Sequence, residues 1–128
     1  MSRGTLYVTE QCRPATEMFQ LIGDKWTIHV VMLLLGRSRR FSELRRDLPG
    51  ISQRMLTLSL RSLERDGLIK RTVTPTVPPR VDYELTPLGH SFGERVSLLG
   101  QWAFENKAAV DAARTTFDSR LETVADKV

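Results

Sequence analysis

Apolar residues recur at helical spacing along most of this chain, and over one stretch they alternate instead. "PATEMFQLIG" places Met18, Phe19 and Ile22 on one helical face that Gly23 ends. Asp24 then offers a carboxylate cap to "KWTIHVVMLLL", whose nearly continuous apolar run predicts a buried central helix stopped by Gly36. "RSRRF" suits a brief strand, and "SELRRDL" a short helix with Ser42 as its N-cap. After the break "PGI" comes "SQRMLTLSLRSLERDG", where Ser52 caps and Gly67 supplies a left-handed exit. Leu56, Leu60 and Leu63 form the inward stripe of that helix. Arg54, Leu58, Arg61 and Arg65 form the opposite one, with Gln53 and Thr57 near its N-terminal end.

Period two takes over in "LIKRTV" and "RVDYELT", both rich in β-branched and aromatic residues. Between them Pro75, Pro78 and Pro79 fall within five positions. Proline lacks a backbone donor, so these belong in the turn and at the fraying strand ends, where no ladder bond is lost. Their fixed φ lowers the cost of holding the loop in one shape. Asp82 and Glu84 alternate along the solvated face of the second strand. Helix, turn, helix, then hairpin is the winged form of the helix-turn-helix. In a DNA complex the second helix would enter the major groove, and the hairpin tip, with Arg80 at its edge, would reach the adjacent backbone or minor groove.

Thr86 and Pro87 make an N-cap and first-turn pair for a last segment that runs to Val128. Phe92, Val96 and Leu99 share a stripe that Leu98 and Trp102 broaden; Val110, Ala113, Phe117, Leu121, Val124 and Val128 keep helical spacing beyond it. A small winged core cannot cover so much apolar surface, so a second copy is the expected cover. A two-fold homodimer would match a palindromic DNA site; a tail folded onto its own core is the alternative. The expected organisation is mainly α with a small β hairpin (α+β): an arm at 1–13, a winged helix-turn-helix domain at 14–102, and a helical extension at 103–128 that serves dimerisation.

Charge changes the picture more than composition does. The 128 residues, 41% hydrophobic, fit one compact domain. The net charge of +4 is unevenly placed: Arg37 to Arg80 holds eleven Lys/Arg against four Asp/Glu, and the rest of the chain is net acidic. Such a block suits a polyanion, whose counterions it would release. The N-terminus lacks the apolar run of a signal peptide, and "VVMLLL" at 30–35 is far short of a membrane span. A single cysteine forms no internal disulfide, which points to a reducing cytoplasm. His29 and His90 have no Cys or His at metal-ligand spacing, so no metal and no cofactor is expected. In its apolar helix His29 reads as a satisfied core histidine, or as one wall of a small effector pocket beside Trp26; Trp26 and Trp102 read as core or dimer anchors.

Taken together, "GDKW", "RRFSELRRDLPGIS", "RML", "LERDGLI" and "PPRVDYELTPLG" resemble the HxlR-type winged helix-turn-helix transcriptional regulators, relatives of the MarR group, from about Pro14 to Trp102. The resemblance implies a dimeric DNA-binding regulator of bacterial type, its dimer built by the N-terminal helix and the helix after the wing. Carried over by position, the reading helix is Ser52 to Asp66. Its groove side is Ser52, Gln53, Arg54, Thr57, Leu58 and Arg61. Arg54 and Arg61 suit guanine edges or phosphates, Gln53 adenine, and Thr57 and Leu58 a thymine methyl. Arg39, Arg40 and Lys25 are expected to position phosphates. Many relatives carry a cysteine directly before a proline near the start, and some use it to sense oxidants or electrophiles. Here the order is Cys12-Arg13-Pro14, one position displaced; the adjacent cation favours a reactive thiolate, while a displaced cysteine in an arm favours an inert one. Two other classes compete with a regulator of genes. One is a winged-helix module that binds protein, which the arginines of the reading face oppose. The other is a thiol enzyme, for which "CRP" supplies neither a second cysteine nor a positioned base.

Overall fold

The computed structural model describes residues 12–127, with side chains to residue 123. The arm expected at 1–13 therefore lies almost wholly outside the described residues, as do Val128 and the side chain of Val124. The elements run α1 (Arg13–Gly23), α2 (Lys25–Gly36), β1 (Arg39–Arg40), α3 (Phe41–Asp47), α4 (Gln53–Arg65), β2 (Ile69–Thr74), β3 (Arg80–Leu85) and α5 (Pro87–Lys127). The chain divides into two compact units, one up to Val96 and one from Ser97.

Local chemistry explains the boundaries. Asp24 accepts hydrogen bonds from the amides of Trp26 and Thr27 at 3.1 and 3.2 Å, which starts α2 as the chain turns through 85° out of α1. Gly36 is the last residue of α2 and not its stop; the helix leaves through extended Arg37 into β1. Ser42 does not cap α3. The helix begins two residues sooner, because the Glu43 carboxylate accepts the Arg40 amide at 3.1 Å and so makes Arg40 the cap residue. Ser52 does cap α4, its Oγ accepting the Met55 amide at 3.1 Å. Gly67 leaves α4 at φ +76°, a conformation that favours glycine.

The sheet has three antiparallel strands in the order β1-β3-β2, so the brief strand joins the hairpin as its third member. The register pairs Ile69 with Leu85, Arg71 with Tyr83, Val73 with Val81, and Arg39 with Tyr83. The three prolines lie between β2 and β3 and take no ladder position; the Val77–Pro78 peptide is cis. Thr86 anchors the base of the hairpin. Its Oγ1 donates to the Gly67 carbonyl at 2.6 Å and accepts the Gly89 amide at 3.0 Å, which caps α5.

The core joins Val30, Val31 and Leu34 of α2 with Leu44 and Leu48, the α4 stripe Leu56, Leu60 and Leu63, and Leu68, Ile69, Tyr83 and Leu85 of the hairpin. The face of α4 opposite that stripe is thereby left outward. Within the unit from Ser97, α5 exposes Leu98, Leu99, Trp102, Phe104, Phe117 and Leu121. No single described helix is long and apolar enough to cross a membrane.

Candidate nucleic-acid interface

The expected reading residues all fall on the outward side of α4 or at its cap. Ser52, Gln53, Arg54 and Arg61 are exposed, Thr57 is half-buried, and Leu58 is 51% exposed although apolar. Burial of the Leu56–Leu60–Leu63 stripe fixes this orientation, since a helix cannot hide one face without presenting the other. Among the described residues, neither Arg54, Arg61 nor Arg65 makes an ion pair. Thr57 spends its hydroxyl on the Gln53 carbonyl at 2.9 Å, which leaves its methyl as the free contact.

The cations expected around the helix have more varied surroundings. Arg39 turns inward: Nε donates to the Leu33 carbonyl at 3.0 Å and Nη1 to Asp47 at 2.8 Å, with 18% of its side chain exposed. It ties α2 to α3, a structural duty not expected of it, because β1 carries it on the inner face beside Tyr83. Arg40, the next residue, points to the opposite face and lines a depression with Phe41, Ser42 and the wing residues Thr76 to Val81. Arg80 does not stand free of the wing; its Nε meets Asp82 at 3.0 Å, two residues along the same strand face. Asp82 is accordingly half-buried beneath that arginine, where bare solvation was expected.

Lys25 is exposed in the first turn of α2. Its ammonium sits 4.7 Å from the Trp26 ring centroid. Together with His29, Met32, Leu33, Leu48 and Pro49 these two residues line an apolar cavity of about 450 Å³. His29 is exposed and meets Trp26 edge-on at 6.2 Å, so it is not the core histidine its apolar neighbours suggested. Thr27, Val30, Val31 and Leu34 are the buried phase of α2, and His29 falls between their positions on the outer side. Cys12 is half-buried at the N-cap of α1, and its carbonyl accepts the Thr16 hydroxyl at 3.2 Å. Among the described residues no three His, Cys, Asp or Glu groups gather as a metal site would need.

Several basic residues escaped the sequence reading. Arg45 and Arg46 share a depression with Gln53, at the N-terminal end of α4. Arg71, placed by the sequence only within the strand "LIKRTV", lines a cleft with Thr57, Leu60, Arg61 and Glu64 of α4. The helical phase of "SELRRDL" relative to the second helix was the signal for the first pair; the strand register, which sequence does not fix, was the signal for the last.

Around α3, Arg37 and Glu43 meet at 2.8 Å. That hydrogen bond, with the Arg40 amide, holds the Glu43 carboxyl down at about 2 and raises the Arg37 guanidinium further. The pair fixes the start of the first helix of the motif.

Known proteins place this architecture. The HxlR-like helix-turn-helix family profile matches residues 21–111. YtfH of Escherichia coli K12, an HTH-type transcriptional regulator, is 40% identical over 114 residues, covering 89% of each chain. The solved structure of ytfH from Salmonella typhimurium, a transcriptional regulator, matches at a TM-score of 0.72 and 40% identity, over 83% of this chain and 94% of that one. The redox regulator HypR in its reduced form also matches at 0.72, with 37% identity over 77% and 98%. The shared winged helix-turn-helix fold and the profile match lead to one conclusion: the chain belongs to the HxlR-like family of helix-turn-helix transcriptional regulators.

Proposed function

We propose that the protein is a sequence-specific DNA-binding regulator that acts as a homodimer on a palindromic operator in the cytoplasm. The observation that carries this reading is the outward face of α4, where Gln53, Arg54, Leu58 and Arg61 are presented and, among the described residues, no ion pair neutralises the arginines. Arginine and glutamine there suit guanine and adenine edges, and Leu58 suits a thymine methyl, which explains an exposed leucine on a basic helix. Arg40, Arg45, Arg46 and Arg80 surround the face and supply backbone contacts, with Arg80 exchanging Asp82 for phosphate on docking. Arg39 is engaged internally, while Lys25, exposed in the first turn of α2, keeps its expected place as a phosphate contact.

The second copy is supplied by the exposed apolar face of α5. Control by a signal has two candidate entries. One is the cavity beside Trp26, whose floor at Leu48 and Pro49 leads into the α4 cap, so a small apolar effector there would reach the reading helix. The other is Cys12 at the head of α1, in a chain similar to a redox regulator.

The test is footprinting and equilibrium binding on DNA upstream of the protein's own and neighbouring genes. A protected palindrome is expected, with the logarithm of the affinity falling linearly in log salt. Absence of binding even at low salt would favour a protein-binding winged helix instead. For Cys12, operator release by an oxidant that persists in Cys12→Ser would remove the redox entry.

A further inference from the structure

A second basic feature lies beside the reading face, in the seam between α4 and the hairpin. Thr57, Leu60, Arg61 and Glu64 of α4, Arg71 of β2 and Tyr83 of β3 line a cleft of about 320 Å³. Tyr83 is 7% exposed. No described residue hydrogen-bonds its hydroxyl, although a buried tyrosine ordinarily finds a partner for that group. Arg71 and Tyr83 are directly paired across β2 and β3, so their side chains rise on one face of the sheet. Neither Arg61 nor Arg71 makes an ion pair among the described residues, and Glu64 is the one acid in the lining. Two planar guanidinia and a neutral hydroxyl donor, converging on a recess walled by Leu60, are the donor set of a phosphate oxyanion site.

The position of the cleft says which phosphate. A recognition helix in the major groove and a wing in the adjacent minor groove are separated by one sugar–phosphate strand. That strand must cross the seam between α4 and β2. We propose that this cleft is a socket for a single operator phosphodiester, held by Arg61, Arg71 and the Tyr83 hydroxyl. The inference rests on the DNA-binding reading and divides labour within it: Arg61 holds backbone, and arginine readout of bases falls to Arg54. Glu64 limits the affinity of the socket and keeps it from retaining free anions when DNA is absent.

The experiment measures binding of the full chain to a duplex carrying its footprinted site and to a scrambled duplex of equal length, across a salt series. Arg71→Ala and Arg61→Ala should each weaken both duplexes by the same factor, about tenfold, and reduce the salt slope by about one. Tyr83→Phe keeps the ring in the core, so it folds, and should weaken both by about threefold. Glu64→Gln should tighten both. Replacing one phosphate at a time by a neutral methylphosphonate should identify a position where the wild-type protein loses affinity and Arg71→Ala does not. Arg71→Ala and Tyr83→Phe binding like the wild type would overturn the socket, as would an Arg61→Ala loss confined to one base pair. Failure of the wild type to bind either duplex at low salt would instead overturn the DNA-binding reading, and the socket with it.

Discussion

Glu43 shows how one half-buried carboxylate can organise an entrance to the motif. Its two partners, the Arg37 guanidinium and the Arg40 amide, both favour its charged form and hold its pKa at about 2, below the ordinary 4.5. A carboxyl depressed in the folded state stabilises the fold above its unfolded pKa, and that contribution is lost as pH falls through the folded value. Thermal stability should therefore decline between about pH 4.5 and pH 2, and Glu43→Gln should lose part of that decline while melting lower at neutral pH. Melting curves at four or five pH values check both. Nearby, Arg54→Ala should cost on the order of 1–3 kcal/mol on the operator and much less on random DNA, read by titration of both. Which residues lie outward on α4 was legible from the leucine stripe alone. What the arginines do with their charge was not: Arg39 finds Leu33 and Asp47, and Arg80 finds Asp82, through register and rotamer that no periodicity encodes.

At the scale of elements, the helices were legible because their caps are local. Asp24, Ser52 and Thr86 each accept an amide two or three residues on, within reach of sequence reasoning. The start of α3 was misplaced by two residues because its cap works backward, from Glu43 to Arg40, and the hydroxyl of Ser42 is not needed. The β1 strand is two residues long, and the strand it pairs with, β3, is a long-range partner invisible in "RSRRF". Close approach sets another limit. Gly89, at the start of α5, packs against the hairpin base so tightly that a Cβ would lie 1.9 Å from the Leu68 carbonyl oxygen. The obstacle is backbone, so relief requires α5 to shift and strain the Thr86 cap. Gly89→Ala should destabilise by about 1–3 kcal/mol or more, an overpacking cost, seen as a lowered denaturant midpoint with unchanged slope. A neutral outcome would mean that the junction between hairpin and helix is looser than the packing implies.

At the scale of the whole molecule, the last third of the chain is where the proposed homodimer would be built. Leu99, Trp102, Asn106, Val110, Ala113, Phe117 and Leu121 follow one another at steps of three, four and four, so that Leu99, Val110 and Leu121 are each eleven residues apart. An eleven-residue repeat gives about 3.67 residues per turn, close to the natural helix, so two such helices can lie together nearly straight or with slight right-handed winding. Asn106 is the polar member of the stripe, half-buried, its amide donating to the Trp102 carbonyl at 2.9 Å. A single amide in an apolar seam fixes register at some cost in stability, so Asn106→Leu should tighten self-association while broadening the set of pairings. Leu99, Trp102, Phe117 and Leu121 are all exposed within their own unit, the kind of apolar surface that marks an interaction site. A charge on that seam would face its own copy across the two-fold axis, and repulsion would add to the lost burial. Phe117→Glu should therefore shift sedimentation equilibrium toward the monomer. The variant should keep its salt-dependent affinity for a half-site while losing its preference for the full palindrome. Retention of both dimer and palindrome preference in that variant would place the second copy on another surface.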